Sequence, residues 1–417
     1  VRHIALRIAP LIAVVTAFSI TSPTHAAADV YRTDVIRWRA ADDGFRTWQT
    51  IGVSWHEDGT LRLDPQSAAF GRDPYAPGAY NGRNFYNGGS FLVGEALSPF
   101  IPARFPFAEA IPSWNVETPA GTWVETQLRA RVNGHWTTWY NLGVWAADNS
   151  TVERHSVGGQ EDDDARVAVD TLVLKAKKAG AGAFQFKLRL FSANSEQSAA
   201  VPVVRAAAVA ISTAPQKPKT LTPGDPSRWG RTLAVPECSQ MVYPDGGEVW
   251  CSPTSTAMAL GYWANDGGAC EPRVRAAVEG VYDWIYDGHG NWPFNTAYAA
   301  TQGMEGYIAR FTSMAQVEEW IAAGVPVIFS FSWKNDLTGA PSPSSNGHLA
   351  VIVGFDAEGN PVVNDPAATT NDAVQRTYLR SELERLWLEH SGGTVYLIYP
   401  PDHAVPLSFN ERKGAKS

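Results

Sequence analysis

The chain has 417 residues, 44% hydrophobic and 18% charged, so it carries enough apolar side chain for more than one core. With 34 basic against 42 acidic residues and a formal charge of −8, it has no cationic excess for nucleic acid or another polyanion. Its three cysteines are an odd number, so pairing within the chain leaves one thiol over.

The first residues read as an export signal. Arg2, His3 and Arg7 precede the apolar run "IAPLIAVVTAFSI", and "THAAA" offers small residues for cleavage after Ala26 or Ala28. An apolar run of about thirteen residues is too short to span a bilayer comfortably. We expect residues 1–28 to be a signal peptide, the alternative being a retained anchor. The mature protein is then secreted, with no membrane span. From 29 to 212 the chain reads as an all-β sandwich. The runs "TWVETQLRARV", "HWTTWYNLGVW" and "FQFKLRLFS" alternate and are separated by Gly, Asn and Asp clusters, and Asn133-Gly134 is a two-residue hairpin signal. Residues 213–230, "TAPQKPKTLTPGDPSRWG", read as a Pro-rich linker.

Beyond the linker the pattern changes. "SPTSTAMALGYW" is helical in character, with Pro253 in the first turn. "SMAQVEEWIAAG" begins with the capping-box spacing Ser313/Gln316 and stops at Gly324, and "RSELERLWLEHSGG" repeats the device with Ser381 and Glu384. "VPVIFSFSW", "HLAVIVGFD", "PVVND" and "TVYLIYP" are rich in β-branched and aromatic residues and read as strands. Helices followed by a mainly antiparallel sheet make residues 231–401 an α+β domain and the protein multidomain. Residues 402–417 read as a tail, disordered at "NERKGAKS".

Cys251 stands where the first of these helices opens. Unpaired N–H groups and the positive dipole end favour an anion there, which lowers a thiol's pKa. Pairing Cys238 with Cys270 leaves Cys251 free and closes a loop of about 33 residues, worth roughly 4 kcal/mol from chain entropy. Three free thiols are the alternative. His348 opens one apolar strand, and Asp365 ends the next after a short Asp/Gly/Asn-rich turn. Antiparallel pairing brings the two together as an imidazole oriented by a carboxylate. Gln240, in the extended segment leading to Cys251, carries an amide that can donate to an oxyanion beside the backbone N–H of Cys251.

With the order Gln, Cys, His, Asp, the stretches "VPECSQ", "WCSPTSTAMAL", "GHLAVIVGF" and "VVNDPAA" resemble the papain-like cysteine peptidases of the bacteriocin-processing, double-glycine leader peptidase type (family C thirty-nine). The resemblance covers about 165 residues and leaves the Trp-rich first half outside. It implies Cys251 as nucleophile, His348 as base, Asp365 as orienting acid and Gln240 as oxyanion donor, acting on a peptide or protein substrate. The family usually has Gly after the cysteine, where this chain has Ser252.

Other stretches carry weaker signals. "YDGHGNWPFNTAYAATQG" places His289 in a Gly-rich loop before a helix expected to open at Asn295; it reads as an aromatic-packed turn, or as a cleft wall with Trp292 facing substrate. Asp162, Asp163 and Asp164 read as a solvated acidic turn, with calcium binding as the alternative. Trp114, Trp123, Trp136, Trp139 and Trp145 fill a sandwich core or stack on sugars of a cell wall or polysaccharide. There is no HExxH, paired CxxC or phosphate-binding glycine loop, so no metal or other cofactor is expected. The sequence is read as an exported cysteine peptidase. A cell-wall peptide amidase or transpeptidase, and an inactive surface-binding protein, are the alternatives.

Overall fold

Period-two alternation shapes the first half. In Thr122–Val132 the side chains of Val124, Leu128, Ala130 and Val132 are wholly buried, while Arg129 and Arg131 lie on the other face. Ala181–Ser192 repeats the device with Phe184, Phe186, Leu188 and Leu190, and pairs antiparallel with Thr122–Val132 along its length. Asn133 and Gly134 both have positive φ, 49° and 87°, as the two-residue turn into His135–Trp136 requires. The computed structural model describes residues 30–72, 90–175, 180–193, 200–218, 220–265, 267 and 269–406, and the backbone of Glu411–Lys413. The expected signal peptide lies outside the described residues.

Two eight-stranded sheets result. In spatial order, one contains Ala165–Ala168, Thr171–Leu174, Glu109–Glu117, Val203–Ser212 and Thr33–Arg39, each antiparallel to the next. The other contains His135–Trp136, Thr122–Val132, Ala181–Ser192, Ser90–Leu97 and Gln49–Ile51, again antiparallel. Trp38 of the first stacks on Phe186 of the second, ring centroids 6.4 Å apart. Trp114, Trp123 and Trp145 are fully buried. Trp136 and Trp139 stand half-buried, with the Arg129 guanidinium 4.5 and 4.7 Å from their rings.

Among the described residues the second half has five α-helices and a seven-stranded antiparallel sheet. The helices are α1 (Cys251–Ala264), α2 (Cys270–Val281), α3 (Trp292–Thr301), α4 (Met314–Ala322) and α5 (Arg380–Ser391). The sheet runs Glu305–Arg310, Thr394–Tyr399, Val327–Lys334, Ser344–Phe355, Pro361–Asn364, Gln375–Thr377, with Arg231–Thr232 also on Ser344–Phe355.

Several local expectations are corrected. Neither capping box forms. Ser313 makes no side-chain cap, Gln316 accepts from the Thr312 N–H at 2.7 Å rather than from Ser313, and the Met314 N–H donates to Glu384 on α5 at 2.8 Å. Ser381 lies inside α5, which starts one residue earlier, because Glu384 is committed to this tertiary bond. Helix α3 opens at Trp292, not Asn295, with Asn291 as its cap; the Asn295 amide instead donates to the carbonyls of His289 and Asn291. Helix α2 was not anticipated. In the expected tail, Glu411–Lys413 pairs parallel with Thr33–Arg39, using a sheet edge that local sequence does not reveal.

The described residues from 31 onward belong to one compact unit, and several of the bonds that join its two halves are buried. Asn115 exchanges two hydrogen bonds with the backbone of Gly306. Arg310 donates to Glu109 at 2.5 Å and Ser212 at 2.6 Å. Phe294 of α3 packs edge-on against Trp114 and Trp145, at 6.1 and 5.3 Å. Among the described residues no helix is long and apolar enough to cross a membrane.

Candidate active site

Cys251 is the first residue of α1, and no side chain caps that end. The sulfur therefore meets the unpaired N–H groups and the positive end of the helix. Cys238 and Cys270 form a disulfide between the segment preceding α1 and the start of α2, and Cys251 is free and half-buried.

His348 is buried on Ser344–Phe355, flanked by the rings of Phe331 and Trp333, each 5.5 Å away. The register pairs Val351 with Asn364, so its extension sets Asp365 opposite Ala350, and His348 shares the face of Ala350. This diagonal brings His348 Nε2 to 2.8 Å from Asp365 Oδ1. Asp365, with 0% exposure, also accepts from the Tyr378 hydroxyl at 2.6 Å and from the Ala367 N–H at 2.9 Å. With Nε2 on the carboxylate, Nδ1 is left available to the Cys251 sulfur, with which the ring interacts electrostatically.

The electrostatics of the three groups favour one charge pattern. Burial works to raise the Cys251 pKa, but the hydrogen bond and charge of His348, with the N–H groups of Leu349 and Ser252, outweigh it and lower it below 9.0. Burial opposes charge on His348 too, yet the Asp365 carboxylate, helped by Cys251, pushes its pKa up to about 10. Asp365 would rise on burial; the charge and hydrogen bond of His348, and the Tyr378 hydroxyl, hold it below the usual carboxylate value. All three shifts act toward the charged forms: thiolate, imidazolium and carboxylate.

Gln240 is buried in a 3-10 turn, Gln240–Val242. Its N–H donates to the Pro366 carbonyl at 2.8 Å, tying this turn to the residue after Asp365. Its side-chain Nε2 donates to the Gly247 carbonyl at 2.8 Å, which leaves the second amide hydrogen for another acceptor. Gly247 permits the approach, since a Cβ there would lie 2.0 Å from the Gln240 carbonyl oxygen. Ser252 turns its hydroxyl to Tyr396 on the sheet at 3.0 Å, while its backbone N–H serves the sulfur. Burial lowers the pKa of His289 to about 4, and its ring packs against Trp250 and Tyr282. Asp162 accepts from the Tyr140 and Thr138 hydroxyls and from the N–H groups of Asp164 and Ala165.

Tyr378 escaped sequence reasoning. A buried tyrosine needs a partner for its hydroxyl, but nothing in "RTYLR" says which acid it meets. Asp170 and Asp283 escaped it as well: each also has a partner from the other half of the chain, Trp292 and Ser156 respectively.

A family model for the Peptidase C39 N-terminal domain matches residues 34–212. A second, for the Peptidase C39 like family, matches residues 232–395. No curated protein matches the chain.

Proposed function

On the premise that this chain is a relative of the C39 peptidases, we propose that it is an exported, papain-like cysteine peptidase working through Cys251, His348 and Asp365. At family level it is of cysteine-peptidase type, with peptide as substrate. The observation that carries the finer reading is the connected set of a free thiol at a helix start, a buried imidazole and a buried carboxylate.

In this reading the Cys251 thiolate attacks the peptide carbonyl and a C–S bond forms. The oxyanion accepts from the Cys251 N–H and from the free hydrogen of the Gln240 amide. His348 gives its Nδ1 proton to the amine as the C–N bond breaks. Water then loses a proton to His348 and adds to the thioester; the C–S bond breaks and a carboxylic acid leaves. We read residues 29–212 as a β-sandwich domain, 213–230 as its connection and 231–401 as the peptidase domain. The disulfide supports an oxidising compartment, and with it secretion by the signal at residues 1–28.

Cys251→Ala should abolish cleavage of labelled casein and of N-blocked peptides, with thermal unfolding nearly unchanged. Retained cleavage would sink the assignment. Iodoacetamide should modify Cys251 far faster than an ordinary cysteine at neutral pH.

A further inference from the structure

The loop after α2, residues 282–291, stands beside the nucleophile. The His289 ring packs edge-on against Trp250, the residue before Cys251, at 6.1 Å. The Tyr286 ring lies on the glycines flanking His289: a Cβ would meet it at 3.0 Å on Gly288 and at 3.4 Å, at the hydroxyl, on Gly290. Tyr286 remains 48% exposed. Its hydroxyl also lies within electrostatic reach of Cys251.

The loop is held by the first half of the chain. Asp283, with 0% exposure, is the hub. Its Oδ1 accepts from the Ser156 N–H at 2.9 Å, the Ser156 hydroxyl at 3.2 Å and the N–H groups of Ile285 and Tyr286 at 3.0 Å each. Its Oδ2 accepts from the Asn291 amide at 2.8 Å. The Arg154 carbonyl receives the Trp284 N–H at 3.2 Å, and the Arg154 guanidinium donates to the Glu279 carbonyl at 2.7 Å. Asp170 receives the Trp292 N–H at 2.8 Å, where the loop joins α3. Both ends of the loop are thus pinned to groups from residues 154–170, and the Tyr286 backbone is held by Asp283, which itself binds Ser156.

We propose that Tyr286 is a substrate-contacting residue of the cleft, presenting its ring and hydroxyl to the peptide beside the scissile bond, and that Ser156 and Asp283 position it. A fixed aromatic face binds a peptide side chain or backbone at little entropic cost, because the loop is already ordered. The first half would then complete the substrate site without touching the reacting atoms. The inference rests on the peptidase reading of Cys251.

The test uses the full chain and two kinds of electrophile: iodoacetamide, which reads the sulfur alone, and a panel of N-blocked dipeptidyl chloromethyl ketones, which must also occupy the cleft. Tyr286→Ala should lower the best dipeptidyl rate by about tenfold while the iodoacetamide rate stays within about twofold. Asp283→Asn, or the milder Ser156→Ala if the first fails to fold, should lower the same ratio. Combined with Tyr286→Ala it should add little, since it acts through that residue. An unchanged ratio in Tyr286→Ala overturns the contact; a fully additive loss in the double variant overturns the positioning. If the unaltered chain reacts with iodoacetamide no faster than an ordinary thiol and shows no dipeptidyl preference, the peptidase reading itself falls.

Discussion

Charge on a single ring governs the site at the residue scale. The Asp365 carboxylate outweighs the cost of burial and raises the His348 pKa, and that ring in turn lowers the pKa of the Cys251 thiol. Alkylation of Cys251 should therefore stay fast well below pH 8.5 and decline only as pH falls through the lowered thiol pKa. In His348→Ala the profile should move up in pH, toward that of an ordinary cysteine; iodoacetamide kinetics from pH 4 to 10 read both curves. The sign for stability follows from the same shifts. The contribution of the raised His348 is complete below its usual 6.5 and is lost as pH rises through about 10. That of the lowered Asp365 is present above 3.8 and is lost as pH falls through its depressed value. Tyr378 sustains this arrangement from behind, with a 2.6 Å bond to Asp365. Tyr378→Phe should cost about 1.5–3 kcal/mol in urea unfolding, the range for a hydrogen bond to a charged group. It should also shift the alkylation profile toward higher pH, because a less stabilised carboxylate supports the imidazolium less.

Among the elements, α1 depends on what holds its first residue in place. The disulfide from Cys238 to Cys270 spans 32 positions and encloses Cys251. Opening it with Cys238→Ser and Cys270→Ser should cost ~4 kcal/mol from loop entropy, read as a lower unfolding midpoint in urea. The 3-10 turn of Gln240 lies just after this bridge and is bonded to Pro366. The double variant should therefore slow peptide cleavage more than it slows iodoacetamide, since the oxyanion donor loosens before the thiolate does. Helices α4 and α5 are joined directly: Glu384 of α5 accepts from the N–H of Met314, the first residue of α4, at 2.8 Å.

The whole molecule is less divisible than two matched families suggest. Arg310 of the second half is 4% exposed and spends its guanidinium on Glu109 and Ser212 of the first. Phe294 sits on Trp114 and Trp145, and Gly306 and Ile308 bond to Asn115 and Ser113. Residues 231–401 made alone would bare this apolar face and leave Arg310 without Glu109 and Ser212. That fragment should be poorly soluble or unfold well below the full chain; circular dichroism melts of both decide it. A fragment as stable as the whole would mean that the buried contacts between the halves contribute little.

How much could be read without coordinates differs with the range of the interactions. Local rules suffice for the strand Thr122–Val132, the Asn133-Gly134 turn and the helix opening at Cys251, because alternation, positive φ and an early proline act within a few residues. Short spacing likewise brings His348 near Asp365, since one tight turn joins their strands. The capping boxes failed because Gln316 accepts from Thr312 and Glu384 from Met314, neither from its expected cap residue, and α3 began early because Asn291 capped it. Tyr378 behind Asp365, Ser156 under Asp283 and Asp170 at the start of α3 are meetings across the fold. Sequence alone determined which residues could carry the chemistry and how their own segments bend. Tertiary structure decided what surrounds them, because burial, and the partner that makes burial tolerable, belong to no single segment.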